Sequence, residues 1–217
     1  PIGFSGPSVV SRAVWCSIAC LTVSGIAQEA APTGKLRLHA IFDSDMVLQR
    51  DKPIAIWGWA EPDAAVTVKL GKDNADTKAA ADKGRWEVTF PAREASAEPQ
   101  TLIVTAGDEK VEIGNIVVGD VWVMYGQSNM AFPLKKVLNG DTESAQANLP
   151  NLRLFSITTN EQADLPDDIN RETIDTKGWV ASTPETASEF SAIGFVFGKQ
   201  LQLSVGIPIG LIKNSRG

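Results

Sequence analysis

Ser128 is the residue whose surroundings best suit nucleophilic chemistry. It lies in the run Gly126-Gln127-Ser128-Asn129-Met130, directly after a nearly continuous apolar segment. A buried strand that gives way to a helix at this point would expose the hydroxyl above the edge of a sheet and aim backbone N–H groups at a developing oxyanion. Acyl transfer by a serine uses both features. The alternative is that Ser128 and Asn129 only cap the helix, a common role for both residue types.

A serine nucleophile also needs a base, and the sequence has one histidine to offer. An imidazole or its equivalent must accept the hydroxyl proton, and a carboxylate must orient that base. His39 lies in the first predicted strand, far from Ser128 along the chain. We therefore expect His39 to be a surface residue and not the base.

The segments before Ser128 predict a β domain at residues 35–113. Short stretches of alternating polarity recur between turn residues with no amphipathic helix among them, which is typical of an antiparallel sandwich of immunoglobulin-like or jelly-roll kind. The predicted strands are 36–39, 53–59, 65–70, 85–90 and 101–106. Trp57 and Trp59 share one strand face, where they form either a sugar-stacking platform or part of the core.

The segments around and after Ser128 predict an α/β domain at residues 114–217. Strands are predicted at 116–125, 152–157 and 208–212, the first of them buried on both faces, with a short helix at 141–148. A longer helix is indicated by apolar residues at helical spacing, namely Phe190, Ile193, Phe197 and Leu201. This alternation is typical of a parallel sheet covered by helices. Three strands are a fragment of such a sheet, so we expect this domain to be incomplete.

Residues 119–130, Gly-Asp-Val-Trp-Val-Met-Tyr-Gly-Gln-Ser-Asn-Met, closely resemble the nucleophile block of the sialate O-acetylesterase family, which belongs to the SGNH hydrolases. The likeness continues in order on both sides of this block. It includes 41–42, 45–50, 56–60 and 84–86 upstream, and Trp179, 184–186, 190–192 and 206–212 downstream. The resemblance thus covers nearly the whole chain after the first 34 residues.

The resemblance implies a β-sandwich followed by the first part of a flavodoxin-like SGNH domain, and hydrolysis of O-acetyl groups from sialic acid or another acetylated sugar. Ser128 would be the nucleophile, with its own N–H in the oxyanion hole and support from Gly126, Gln127 and Asn129. The run 214–217, Asn-Ser-Arg-Gly, looks like the opening of the family's next block, which would place the amide of Gly217 in the oxyanion hole. Neither a metal nor an organic cofactor is implied.

Two departures from the family pattern bear on activity. The family takes its base from a downstream Asp-x-x-His block that this chain does not contain, and Arg216 stands where an aromatic residue is usual. We therefore expect the chain to be truncated and inactive as it stands. The alternative, from another functional class, is a noncatalytic carbohydrate-binding or surface protein that retains a remnant of a hydrolase.

Composition and the first residues restrict partners and location. With 20 Lys and Arg against 26 Asp and Glu, the net charge of -6 leaves no basic surface for a nucleic acid. Arg12 and the apolar run 13–26 predict a signal peptide at 1–27 and a linker at 28–34, and therefore export; a lipoprotein anchored at Cys20 is the competing interpretation. Both cysteines, Cys16 and Cys20, would be removed with the cleaved signal peptide. No later segment is long enough to span a membrane.

Overall fold

Strands and helices were assigned for residues 35–158 and 168–215, the ranges that the computed structural model describes. The predicted signal peptide, the predicted linker and Gly217 lie outside these ranges. The strands are β1 (Arg37–Leu38), β2 (Val47–Gln49), β3 (Ile54–Trp59), β4 (Ala65–Leu70), β5 (Asp73–Lys78), β6 (Arg85–Phe90), β7 (Ser96–Ala106), β8 (Glu109–Gly126), β9 (Leu149–Thr158), β10 (Val180–Ser182) and β11 (Ile209–Ser215). The α-helices are α1 (Ser128–Ala131), α2 (Gly140–Ala145), α3 (Pro184–Glu189) and α4 (Ala192–Val205).

The strands form two sheets. A small antiparallel sheet has the order β1-β3-β6, and a larger sheet has the order β10-β9-β11-β8-β7-β4-β5, with β2 added against β8. The larger sheet is antiparallel from β5 to β8 and parallel from β8 through β11 to β9. The fold is therefore α/β with mixed sheets, and the three predicted parallel strands are confirmed.

β8 connects the antiparallel and parallel parts of the larger sheet. Its first half pairs antiparallel with β7 as far as Val118, and its second half pairs parallel with β11 from Asp120 to Gly126. The predicted domain boundary between residues 113 and 114 thus falls inside one continuous strand. Because β8 runs through both regions, Ser128 at its end is held by the packing of both.

Two clusters of buried side chains lie on either side of the parallel strands. The first is formed by the small sheet, the antiparallel strands and one face of β9, and includes Ile56, Val68, Trp86, Val104, Ile116 and Phe155. The second lies between the parallel strands and the helices, and includes Met124, Leu134, Leu154, Phe195 and Leu211. Neighbouring residues of β9 alternate between the two clusters, as side chains of a strand covered on both faces do.

The prediction that residues 116–125 are buried on both faces is wrong for the second half of the segment. Ile116 is buried, but Trp122, Val123 and Tyr125 are 45%, 68% and 79% exposed. Among the described residues, β8 pairs beyond Gly119 only with β11, so its other edge is open there. Apolar residue types alone do not distinguish such an edge from a central strand.

The apolar stripe predicted for α4 is wrong for two of its four residues, since Phe190 and Leu201 pack against the second cluster but Ile193 and Phe197 do not. Ile193 and Phe197 are 51% and 38% exposed, and the helix instead packs through Ala192, Gly194, Phe195 and Gly198. A methyl group added at Gly198 would lie 2.5 Å from Leu211 Cδ1, and one at Gly194 would lie 2.8 Å from Met124 Sδ. The glycines therefore bring the helix backbone close to the sheet beside the buried Phe195, and Ile193 and Phe197 lie on the outer side.

Candidate active site

Ser128 is the first residue of α1 and lies just beyond the carboxyl end of β8. Its side chain is exposed. The neighbouring strand β11 runs parallel to β8 in this region, so both strands end at the same edge of the sheet. Ligands of open α/β sheets bind at this edge. The predicted nucleophile is thus accessible and lies where such folds bind their ligands.

The turn that carries Ser128 is the first turn of a short helix, whose leading backbone N–H groups point away from the helix. Gln127 occupies the N-cap position without a side-chain capping bond, and its carbonyl accepts the amides of Met130 and Ala131 at 2.8 and 3.1 Å. Ser128 and Asn129 therefore do not hold the N-cap position, against the capping alternative. Their N–H groups have no acceptor within the helix. Since α1 is a single turn, these donors act individually and not through a helix dipole.

A cavity of about 470 Å³ opens at this turn. It is lined by Tyr125, Gly126, Gln127, Ser128, Asn129, Met130 and Ile193. Gly126 does not have a positive φ. A methyl group there would lie 3.0 Å from Met130 Cβ, so the glycine serves close approach of this side chain and not an unusual backbone conformation. The residues predicted to support the motif all line the cavity with the serine.

The start of α4 is fixed to the segment that follows α1. Ala192 N donates to Phe132 O and Leu134 N donates to Phe190 O, each at 2.9 Å. The buried Ser191 caps α4 by accepting Gly194 N at 3.1 Å. These bonds place Ile193 in the wall of the cavity. The sequence pattern had instead assigned Ile193 to the buried face of the helix.

Ser215 is a second hydroxyl at the same sheet edge, and apart from the block that it shares with Gly217 no sequence pattern points to it. It is paired with Gly126 in the parallel register and is 4% exposed. Its Oγ is buried without a hydrogen-bond partner among the described residues. Gly217 itself lies outside those residues, so its role in the oxyanion hole stays a prediction.

His39 lies in the β-rich region and not beside Ser128. Its ring centroid is 5.2 Å from that of Trp57 and 6.2 Å from that of Trp59, and its Nε2 is 3.4 Å from Asp168 Oδ1. The expectation of a surface residue is wrong, because the imidazole is only 13% exposed. Burial lowers the pKa of His39 below its usual value, although the Asp168 carboxylate opposes this shift.

Trp57 and Trp59 pack as core residues and not as an open platform. Trp59 is 7% exposed, and the guanidinium of Arg37 lies 3.7 Å from the centre of its ring. Trp57 is partly buried and meets Phe42 edge to face at 4.6 Å. Sugar stacking was one of the two alternatives for this strand face. Protein side chains occupy the face instead.

Asp120 fixes the middle of β8 to the end of β2. Arg50 donates to both carboxylate oxygens, from Nε to Oδ1 at 2.9 Å and from Nη2 to Oδ2 at 3.2 Å. These hydrogen bonds lower the pKa of Asp120 below its usual value. Asp120 thus lies inside a strand and forms a bidentate ion pair.

Within residues 35–158 and 168–215, no three His, Cys, Asp or Glu side chains are grouped so that they could hold a metal ion. No helix in those ranges has the length and apolar character needed to cross a membrane.

Comparisons with known proteins support the resemblance seen in the sequence. The chain is 29% identical over 198 residues to the sialate O-acetylesterase of Pongo abelii, covering 83% of this chain and 37% of that protein. It is 28% identical over 196 residues to the enzyme of the same name from Mus musculus, covering 83% and 36%. No protein-family model matches the chain.

A solved structure is similar as well. The crystal structure of a carbohydrate acetylesterase from Xanthomonas citri superposes with a TM-score of 0.77 at 34% identity, over 83% of this chain and 40% of that one. The chain thus spans well under half the length of these relatives. Over that part it is similar to sialate O-acetylesterases and to a carbohydrate acetylesterase.

Proposed function

We propose that this chain carries the nucleophile of an exported carbohydrate O-acetylesterase, with Ser128 as that nucleophile. The observation that supports the proposal is the position of this serine, which is exposed in a cavity at the carboxyl edge of the parallel strands and begins a helix. The names of the homologous proteins support an acetylated sugar as the substrate.

In the proposed reaction, Ser128 Oγ forms a bond to the acetyl carbonyl carbon. The carbonyl oxygen becomes an oxyanion that the N–H groups of Ser128 and Asn129 can stabilise. The bond between that carbon and the sugar oxygen then breaks, and the sugar leaves as an alcohol with the proton that the serine gave up. Water cleaves the acetyl-serine to acetate and restores the hydroxyl.

The proton transfer is the step for which this polypeptide is poorly equipped. Its single histidine is held between Trp57, Trp59 and Asp168 in the β-rich region. General acid–base catalysis contributes about 10²–10⁴-fold to such reactions. We therefore propose that the 217-residue polypeptide by itself turns over very slowly.

Added imidazole tests both parts of the proposal. Hydrolysis of a chromogenic acetyl ester is measured with the unmodified chain, with Ser128→Ala and with Ser204→Ala, whose serine lies near the other end of α4. Without imidazole, all three proteins should give the same background rate. With imidazole, the unmodified chain and Ser204→Ala should exceed Ser128→Ala. If the unmodified chain and Ser128→Ala hydrolyse the ester at equal rates in imidazole, the alternative of a noncatalytic binding protein is favoured. Robust Ser128-dependent turnover without imidazole would refute the claim that the polypeptide lacks an effective base.

Two further features belong to the proposal. We interpret the small sheet and the antiparallel strands of the larger sheet as the two layers of a β-sandwich, because both contribute to the first cluster of buried residues.

Export rests on residues 1–27. A protein recovered from the periplasm or medium of a bacterial host should begin at Gln28 by intact mass, and one that retains a lipid-modified Cys20 contradicts a free exported form.

A further inference from the structure

α1 is a single helical turn, and its first residue is the proposed nucleophile Ser128. Within the turn, the amides of Met130 and Ala131 donate to Gln127 O. A helix this short is not stable by itself, because its few hydrogen bonds do not offset the entropy lost when the backbone is fixed. No residue of α1 is fully buried. Contacts with other elements must therefore stabilise the turn.

Met130 is the residue through which α1 contacts the interior. Its side chain is half-buried and packs against the second cluster. A methyl group at Gly126 would lie 3.0 Å from Met130 Cβ, so this side chain lies directly against the end of β8. Ser128 is two residues earlier in the turn, points in roughly the opposite direction and is exposed. The contacts of Met130 therefore set the direction in which the Ser128 hydroxyl points.

Ser191 holds Met130 from the side of α4. It is fully buried at the start of that helix, and its Oγ takes part in two hydrogen bonds. Oγ accepts the N–H of Gly194 at 3.1 Å and donates to Met130 Sδ at 3.5 Å. A thioether sulfur is a weak acceptor, but a buried hydroxyl that loses its acceptor is left unsatisfied. One buried hydroxyl thus connects the start of α4 to the side chain that anchors α1.

The backbone between the two helices is fixed separately from this side-chain contact. Pro133 and Ser191 form an isolated antiparallel bridge. The bridge sets where α4 begins relative to the segment that follows α1, and the contact of Ser191 with Met130 then sets the rotation of the turn itself. Ser191 does not line the cavity at Ser128, whereas Met130 does. Ser191 can therefore act on the nucleophile only through Met130.

From these contacts we infer that Ser191 is a positioning residue for Ser128, and that it acts through the hydrogen bond from its hydroxyl to the sulfur of Met130. Its effect on reaction rate rests on the proposed function, because that function makes Ser128 the nucleophile. Its effect on the α1 turn is a property of the fold and can be measured without turnover.

NMR measures the effect on the turn. The chain is labelled with ¹³C in its methionine methyl groups and with ¹⁵N in its backbone, and Met130→Leu assigns the methyl resonance of Met130. Ser191→Ala should shift this resonance and accelerate hydrogen exchange of the Met130 and Ala131 amides about fivefold or more.

Thr183→Ala is the matched control for Ser191→Ala. Thr183 caps α3 in the same way, by accepting Thr186 N at 3.2 Å, so both variants remove the N-cap of a helix. Thr183→Ala should leave the Met130 methyl resonance and the α1 amides unchanged. If the two variants affect these signals equally, or if neither does, the inference is overturned.

Kinetics in imidazole measure the effect on the reaction. Ser191→Ala should lower kcat for the chromogenic acetyl ester about tenfold or more with little change in KM, because a misplaced nucleophile slows the reaction while the cavity lining is kept. Thr183→Ala should leave both values unchanged. Equal values of kcat in Ser191→Ala and the unmodified chain overturn the inference.

A double-mutant cycle shows whether Ser191 acts through Met130. Met130→Leu keeps an apolar side chain of similar volume but removes the sulfur, and it should lower kcat about as much as Ser191→Ala does. The double variant should lose no more than either single variant, whereas additive losses overturn the inference. If the unmodified chain shows no Ser128-dependent turnover in imidazole, the proposed function fails, and the NMR comparison alone decides whether Ser191 positions the turn.

Discussion

Ser215 lies opposite Gly126 in the parallel register of β11 and β8, with its hydroxyl buried and, within the described ranges, without a partner. The last described residue of β11 therefore reaches the strand end from which Ser128 projects. A buried hydroxyl without a hydrogen bond destabilises the fold through lost hydration. The register thus places an energetically unfavourable group at the sheet edge where the proposed chemistry occurs.

Ser215→Ala is expected to leave the free energy of unfolding unchanged or to raise it by up to about 1 kcal/mol, because the substitution removes the unpaired hydroxyl. The matched control is Ser156→Ala on β9, whose Oγ donates to Asp175 Oδ2 at 2.7 Å and is equally buried. That variant should lose about 1–2 kcal/mol. Urea denaturation measures both values, and a loss in Ser215→Ala as large as in the control would contradict the assignment.

Gly119→Ala is expected to destabilise the protein by about 3 kcal/mol or more. A methyl group at this position would lie 1.9 Å from the carbonyl oxygen of Pro208, which is backbone and cannot rotate away. Gly114→Ala in the same strand is the control, since a methyl group there meets nothing within 4 Å. Thermal unfolding of the two variants should differ clearly. Similar melting temperatures would show that β8 and the start of β11 are not in this close contact.

Asp120→Asn is expected to destabilise the protein at neutral pH and to lose that effect in acid. Since Arg50 lowers the pKa of Asp120 in the fold, the carboxylate contributes stability above its unfolded pKa of about 4 and loses it as the pH falls through the lower folded value. Urea midpoints of the variant and the unmodified chain should begin to converge below about pH 4 and meet only below the folded pKa of Asp120. Asp51→Asn, which changes an exposed partner 3.7 Å from Arg50 Nε, should have little effect at either pH. If the urea midpoints of Asp120→Asn and the unmodified chain differ by the same amount at every pH, the ion pair with Arg50 does not contribute as described.

His39 is expected to titrate with a pKa below about 6.5, because its burial disfavours the charged imidazolium. The folded protein then binds fewer protons than the unfolded chain, so stability falls as the pH drops below about 6.5. The single histidine gives an unambiguous imidazole signal by NMR. Asp168→Asn should lower the pKa further, since it removes the carboxylate that raises it. A pKa at or above the usual value would mean that the ring is not buried as described.

The strands that could be predicted from sequence are those whose alternation reports burial directly. β4 and β6 match the predicted ranges residue for residue, and in both every second side chain is buried. β5 was missed because Asp73–Lys78 contains no large apolar residue and no buried side chain. Its position depends on hydrogen bonds to β4, and a polarity pattern does not report those.

The candidate site shows the same division. Ser128 could be identified because its chemistry is local, with a strand, a glycine and a serine in one short run. Ile193 could not be placed in the cavity, because helical spacing favours packing of the large residues, whereas Gly194 and Gly198 set the actual contact. The pairing of Ser215 with Gly126 depends on the order of strands in the sheet, which the separate segments do not specify.

The length of β8 bears on how the protein unfolds. Glu109–Gly126 is one strand, with a bulge at Asn115, where φ is +55°, and it supplies Ile116 to one buried cluster and Met124 to the other. Because the same strand passes through both clusters, loosening one cluster should disturb the backbone that anchors the other. The region from the β-rich part to the serine turn should therefore melt as a single cooperative unit, and a protease should find no natural cleavage point between residues 113 and 114.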